Sequence, residues 1–564
     1  MSTSPAVATS PAAADTAAVG TPDAIVIGAG QNGLVAANVL ADAGWSVVVL
    51  EAQPTPGGAV KTEELVEPGF QNDLYSAFYP LGYASPVLQE LELEQYGLRW
   101  LNSPLVVVNP LVDGRAAVLS RDIDETAASL DSFAPGDGDA WRRLYGLWQV
   151  VRDDVLEALL RPFPPVKAGL RLAARLGPTD LLRFARFGVV PVRRLSQEEF
   201  NGVGAGLLLA GNALHSDLPP EGATSAFLGW LLCMSGQEVG FPAPEGGAAS
   251  ITGALVRRLE QRGGRVVCNA RVADVLVSAG RAVGVRLADG TTVDARRAVL
   301  ADVSAPVLYL DLLPRASVPP LVLNDIHRFH WDNATVKLDW TLDGTIPWTA
   351  EPAGRAGTVH LARGMDHLTD TAGQLAKGQV PANPYLLLGQ MTMTDPTRSP
   401  AGTETVWAYT HVPQQVRGDA GPDALTGAWD ERETEIIADR IEDQVERLAP
   451  GFRDRVRGRH VMTPNWLQSH DENLVHGALS GGTAQLHQQL VFRPTPGLGG
   501  ARTTVRGAYL ASASAHPGGG VHGACGANAA HAALQDAGLM GGAMRAGSGL
   551  LRVVDAAARR SVRR

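Results

Sequence analysis

Gly28, Gly30 and Gly33 stand in the spacing G-x-G-x-x-G, and an acid, Glu51, follows about twenty residues later. That set of residues binds a dinucleotide. The first glycine allows a tight turn, the second lets backbone approach a pyrophosphate, and the third lets a helix pack close on a strand. The carboxylate accepts the ribose hydroxyls. A second glycine pair, Gly57–Gly58, gives another permissive stretch of backbone soon after the acid. Thiol and metal chemistry have less support. Cys233, Cys268 and Cys525 lie far apart with no C-x-x-C, which excludes a zinc knuckle and a closely spaced redox pair and fits a reducing compartment. No histidine spacing matches a metal site, so no metal is expected.

The elements around these residues have the right order. Ala24–Ile27 is a short apolar run of the kind buried in a parallel sheet, and a helix from about Asn32 to Ala43 offers its N-terminus to phosphate. Gly44 serves as its C-cap, and Trp45–Leu50 is the next strand, ending at Glu51. Residues 265–300 read as four short strands, with hairpin turns at Ala279–Gly280 and Asp289–Gly290. Helical periodicity runs through 125–160 and 196–236, and Glu431–Leu448 is an amphipathic helix. Near the C-terminus, Gly507–Ser512 reads as a buried strand, HPGGGVHGACG as a turn, and Ala527–Gln535 as a helix of small residues. The fold class is therefore α/β: a Rossmann-like cofactor domain with an inserted β-meander, plus a mixed helix and sheet substrate domain. The cofactor domain takes 21–100, 240–305 and 500–540, and the substrate domain takes 101–239 and 306–499. Residues 1–20 are expected to be a disordered tail without the features of a leader, and 541–564 a basic tail. At 564 residues the chain is long enough for more than one domain, and its net charge of −10 argues against nucleic-acid binding.

GAGQNGLVAA, the E-x5-GG run from Glu51 to Gly58, and HPGGGVHG…NAA from His516 to Ala530 together resemble the phytoene desaturase-like FAD oxidoreductases. PEGGAASITGALVRRLEQRGG (244–264) and HGALSGGTAQLHQQLVFRP (476–494) extend the likeness through most of the chain. The resemblance implies FAD, with Gly28, Gly30 and Gly33 at the pyrophosphate, Glu51 at the ribose and Gly57–Gly58 leading toward the flavin. It puts the backbone of Val272 at adenine. Gly519, Gly520 and Val521 fall against the isoalloxazine ring, with the dipole of helix 527–535 aimed at its pyrimidine edge. The nearest branch carries the name of pyridine nucleotide-disulphide oxidoreductases, but that chemistry needs a cysteine pair and a second nucleotide motif, and the sequence has neither. GVGAG at Gly202–Gly206 lacks a preceding strand and reads as helix packing. Electrons are then expected to leave the flavin to a diffusible acceptor such as oxygen or a quinone.

Lys337, in ATVKLDW, matches the position where flavin amine oxidases carry a lysine that holds a water near the flavin; its alternative is an ordinary strand lysine facing solvent. His516 and His522 flank the flavin-facing turn as proton relays or as packing histidines, and His476 and His487 flank Gly481–Gly482 in a segment that could line the substrate pocket. Cys525 reads as a packing residue. Residues 161–195 hold eight Lys/Arg against the single acid Asp180, with Lys167, Arg171 and Arg175 on one helical stripe. Such a segment either rests on anionic lipid and admits a lipophilic substrate, or is a solvated cap whose charges are balanced elsewhere in the fold. The leading expectation is a cytoplasmic FAD-dependent dehydrogenase or desaturase taking hydride from an apolar small molecule, with peripheral membrane contact through 161–195. A flavin amine or alcohol oxidase acting on a polar substrate is one alternative. A non-catalytic scaffold stabilised by FAD is the other.

Overall fold

The computed structural model describes residues 20–538, so the tails expected at 1–20 and 541–564 lie, but for Gly20, outside the described residues. Four short apolar runs and an edge strand, Arg265–Val267, pair in parallel in the order Ala508–Leu510, Ala298–Ala301, Ala24–Ile27, Val47–Leu50 and Arg265–Val267. Such runs are buried on both sides, because a parallel sheet is covered on both faces. Ala24, Val26, Val47, Val49 and Leu300 point to one side, where helices Gln31–Asp42, Ala249–Gln261 and Ala524–Ala537 cover them. Ile25, Ile27, Val48, Leu50 and Val299 point to the other and meet a three-stranded antiparallel meander.

The meander departs in one respect from the sequence reading. Residues 265–301 form five strands, and the first, Arg265–Val267, belongs to the parallel sheet as its edge. Only Val272–Ser278, Arg281–Leu287 and Thr292–Asp294 make the meander, turning at Ala279–Gly280, both at positive φ, and at Gly290. A single apolar triplet carries no mark of which sheet it joins.

The substrate domain is built on a seven-stranded sheet in the order Val456–Met462, Ala334–Asp343, Thr403–Val412, Leu386–Gln390, Ala356–Leu361, Leu105–Pro110 and Ala116–Leu119. Its faces differ. Val336, Leu338, Trp340, Val406 and Leu388 pack against the amphipathic helix Glu431–Leu448. Trp407, Tyr409 and Leu387 face a group of helices that includes Asp137–Leu160, Gly204–His215 and Ser225–Val239. The periodic stretch 196–236 is interrupted between His215 and Ser225 by Pro219–Pro220 and by residues at positive φ, Asp217 and Thr224. The glycines at 202–206 pack as read: a Cβ on Gly204 would lie 2.6 Å from the Phe133 ring.

The basic segment forms helix Val166–Phe187, broken at Gly177–Pro178. Its charges are largely met inside the fold. Arg171 and Arg175 reach Asp154, Arg186 and Arg194 share Glu198, Arg193 pairs with Glu221 and Asp366, Arg183 pairs with Asp180, and Arg161 lies 3.8 Å from Glu90. The local +7 is therefore not a free basic surface. No helix among the described residues is long and apolar enough to cross a membrane.

Candidate active site

Strands Ala24–Ile27 and Ala298–Ala301 are neighbours, yet the chain leaves them toward opposite edges of the sheet. In open parallel sheets such a reversal opens a crevice at the carboxyl ends of the strands. Gly28 follows the first strand and Asp302 the second. A Cβ on Gly33 would lie 2.2 Å from the Gly28 carbonyl oxygen, so this glycine lets the helix close on the turn and does not face the crevice. Gly30 does face it, and a Cβ there would fall 2.6 Å from the Asp302 carboxyl. The helix that starts beside it, Gln31–Asp42, has no side-chain cap. Asn32 Oδ1 is buried beside the crevice without a partner in the protein. A glycine that faces the crevice, an uncapped helix start and an orphaned amide form a cradle that a dinucleotide pyrophosphate and its ribose fit.

Glu51 borders the same crevice. Its Oε2 accepts the Ala29 N–H at 2.6 Å and its Oε1 the Gln53 N–H at 2.8 Å, which fixes the carboxylate and leaves lone pairs toward the cavity. Gly57 packs inward on Val60 and bridges Gly30, whereas Gly58 borders the cavity. Val272 lines it at the far end, beside Arg271, which is held by Glu472. Gly519, Gly520 and Val521 line it from the C-terminal turn, and Gln31 ties the two turns, donating to the Gly520 carbonyl and accepting from the Gly523 N–H. Helices 31–42 and 524–537 touch so closely that a Cβ on Gly526 would lie 1.9 Å from the Asn32 carbonyl oxygen.

Two acids that the sequence reading passed over stand in this region. Asp302 accepts the Gly33 N–H at 2.8 Å, and burial, with Asp471 and Glu51 nearby, pushes its carboxyl up to about 7. Burial and Glu51 likewise push Asp471 up to about 6. Neither sits in a recognisable motif.

The cavity, about 840 Å³, continues from these turns into the substrate domain. Phe227, Leu228, Leu231, Leu232 and Phe241 supply apolar wall. His215, His360 and His411 with Trp407 and Tyr409 supply its inner end; the Trp407 and Tyr409 rings stack at 6.0 Å, and the Tyr409 hydroxyl meets His215 Nδ1. Burial pulls His215 down to about 4 and His360 to about 3, so both imidazoles are neutral. These histidines come from one helix and two strands, and no spacing in the sequence joins them.

The histidines and lysine singled out from the sequence lie elsewhere. Lys337 does not face solvent, being 2% exposed, and it is not part of the cavity wall. Its ammonium pairs with Asp339 in a buried cluster with Asn72, Asp73 and Arg398, which ties the hairpin at 62–73 to the substrate sheet. His516 is buried behind the C-terminal turn with Nε2 on the Arg161 carbonyl, and it does not reach the cavity. His522 borders the cavity, but its Nδ1 accepts the Ala524 N–H and its ring is held by the turn carbonyls, a packing arrangement. His487 stacks on His330 and His476 lies outside the lining. Cys525 is buried, its thiol on the Gly518 carbonyl.

Comparison with known proteins agrees with this architecture. A model of NAD(P)-binding Rossmann-like domains matches residues 26–91. Mouse pyridine nucleotide-disulfide oxidoreductase domain-containing protein 2 is 29% identical, over 91% of this chain and 93% of its own. The neurosporene-forming phytoene desaturase of Rhodobacter capsulatus is 25% identical, over 88% and 91%. The solved structure of cyclohexylamine oxidase from Brevibacterium oxydans superposes with a TM-score of 0.57 at 17% identity, over 92% of this chain and 99% of that one, which is a likeness of fold. A model of flavin containing amine oxidoreductases matches residues 204–533, over half of the 564. With the cradle at one end of the cavity and a substrate chamber at the other, the chain belongs to the flavin-containing amine oxidoreductase family, as an FAD-dependent oxidoreductase of the amine-oxidase and phytoene-desaturase superfamily.

Proposed function

We propose that this protein removes hydride from a small organic substrate bearing a polar, hydrogen-bonding group, and passes the electrons to a diffusible acceptor such as oxygen or a quinone. The observation that carries this is the single cavity running from the glycine turns to an inner end of histidines and tyrosine. Gly28, Gly30, Glu51, Gly58 and Val272 would hold the adenosine diphosphate half of FAD, with Gly33 and Gly57 shaping the turns behind them. Gly519, Gly520 and Val521 would lie along the flavin. Bound FAD supplies the two-electron acceptor for the substrate C–H bond. The chain supplies apolar walls that exclude water, and neutral side chains that orient the substrate.

A purely hydrocarbon substrate is less favoured, because it leaves the inner polar groups unused and because most basic residues of the segment 161–195 pair with carboxylates of the same chain. Similarity to the amine oxidases and to the phytoene desaturases is compatible with either substrate class. Anaerobic bleaching of the flavin band separates them, comparing soluble amines and alcohols with polyenes in liposomes. Bleaching by a soluble amine or alcohol is expected, and bleaching by polyenes alone would overturn the proposal. Gly30→Val is expected to abolish FAD retention, and unchanged flavin content in that variant would refute the cradle.

A further inference from the structure

We propose that the inner end of the cavity is a recognition subsite for an alcohol hydroxyl carried on an otherwise apolar substrate. This deepens the functional reading above and rests on it. Strand Ala356–Leu361 places Thr358 and His360 two residues apart, on the same face, and both border the cavity. Tyr385, just before strand Leu386–Gln390, stands against His360 with the rings 5.8 Å apart and nearly perpendicular. All three side chains are buried, and Thr358 Oγ, both ring nitrogens of His360 and the Tyr385 hydroxyl have no hydrogen-bond partner in the protein. Buried polar atoms are rarely left unpaired, and a cluster of four needs a cause. Gly211 lets helix Gly204–His215 close on this pair without bonding it, since a Cβ there would fall 2.6 Å from His360 Nδ1 and 2.9 Å from the Tyr385 hydroxyl.

The character of the group follows from what faces it. A neutral imidazole offers one donor and one acceptor, and the Thr358 hydroxyl offers both, while Tyr385 stands behind His360 outside the cavity wall. A hydroxyl, itself donor and acceptor, can satisfy such a set. A carboxylate would find no cation among Thr358, His360, Tyr385, His215 and Tyr409. The Thr358–His360 pair offers an ammonium no acid of its own, and the acids elsewhere in the lining are already engaged, Asp217 by Asn333 and Thr483 and Asp332 by the N–H groups of Leu479, Ser480 and Gly482. Burial, with His215 as the second cause, keeps His360 uncharged. The neighbouring walls, Phe227, Leu228, Leu231, Leu387 and Trp407, suit the apolar remainder of the molecule.

The test uses the FAD-loaded protein under anaerobic conditions, with binding read from the shift of the flavin absorbance band. The probes are benzyl alcohol, toluene, benzylamine and benzoate, which share one apolar body. Benzyl alcohol is expected to bind at least ~tenfold more tightly than each of the others, a margin one satisfied buried hydrogen-bonding group can supply. His360→Phe should erase that margin while leaving toluene binding and flavin content unchanged, and His360→Gln, which keeps a donor and an acceptor, should retain part of it. Thr358→Val, of similar shape, should narrow the margin and serves if His360→Phe does not fold. Equal binding of benzyl alcohol and toluene, survival of the margin in His360→Phe, or tightest binding by benzylamine or benzoate would each overturn the subsite. Preference for benzyl alcohol without bleaching by any soluble probe would sustain the subsite and count against the oxidation reading. Bleaching by benzylamine without that preference would do the reverse.

Discussion

Lys337→Met tests whether this lysine holds the two domains together or serves the reaction. Lys337 and Asp339 are 2% and 0% exposed, and Asp339 has one other side-chain partner, Asn72 at 3.4 Å. Removing the ammonium leaves a buried carboxylate beside Asp73, a loss of about 3–5 kcal/mol for a broken buried pair. That loss should depend on pH. Burial already lifts the Asp339 carboxyl above its ordinary range, and losing Lys337, which lowers it, lifts it further. A carboxyl raised in the folded state contributes stability below its unfolded value near 3.8 and loses it as pH rises through the folded value. The variant should therefore be closest to wild type in acid and fall furthest behind in alkali. Lys337→Met/Asp339→Leu should regain much of the loss, because no charge is then stranded. Denaturant midpoints at acidic and alkaline pH give the stability, and stopped-flow anaerobic reduction gives the rate per bound flavin. Since Lys337 lies outside the cavity wall, that rate should be unchanged wherever the variant is folded. A variant as stable as wild type with slowed flavin reduction would refute the reasoning and return Lys337 to the reacting atoms.

Two further outcomes follow from the cofactor half. Gly526→Ala gains about 1 kcal/mol of helix propensity but forces a methyl against backbone, where overpacking costs about 1–3 kcal/mol or more. With the Cβ only 1.9 Å from the Asn32 carbonyl, a net loss is expected in apoprotein melting, and a more stable variant would mean the two helices do not meet there. Asp302 and Asp471, raised to about 7 and about 6, give the apoprotein stability that is present below their unfolded value near 3.8 and is lost as pH rises through those values. Asp302→Asn should flatten the melting profile across that window; an unaltered profile would remove Asp302 as its source.

The cofactor half was legible because its chemistry is backbone chemistry at short range. AIVI, VVVL and AVLA are continuous apolar runs, as a doubly covered sheet requires, and the glycines stand at offsets fixed by one turn and one helix. Gly526 was not legible in the same way, since a glycine inside a helix of small residues carries no mark of the neighbour it must admit. The basic stripe stands in the sequence as a pattern of residues, but its partners Asp154 and Glu157 belong to helix Asp137–Leu160, and pairing of that kind is tertiary.

The substrate half follows a different rule, and strand Ala334–Asp343 shows why. Its residues alternate between Val336, Leu338, Trp340 and Leu342 on one face and Thr335, Lys337, Asp339 and Thr341 on the other, yet almost all are buried. A polar face that is nevertheless buried belongs either to an internal cluster or to a cavity, and the sequence does not say which. Register decides. Lys337 lies opposite Tyr409 and Asp339 opposite Trp407, so lysine and aromatics share a face. Asp339, two residues on, draws the lysine into the ionic cluster, while Trp407, Tyr409 and His411 remain at the cavity with His360 from a strand farther along the sheet. Among the groups left at the inner end of the cavity are the donors and acceptors of Thr358, His360, Tyr409 and His411. Family membership fixes FAD as the cofactor of this protein, but the choice of substrate rests on the residues that register leaves facing the cavity.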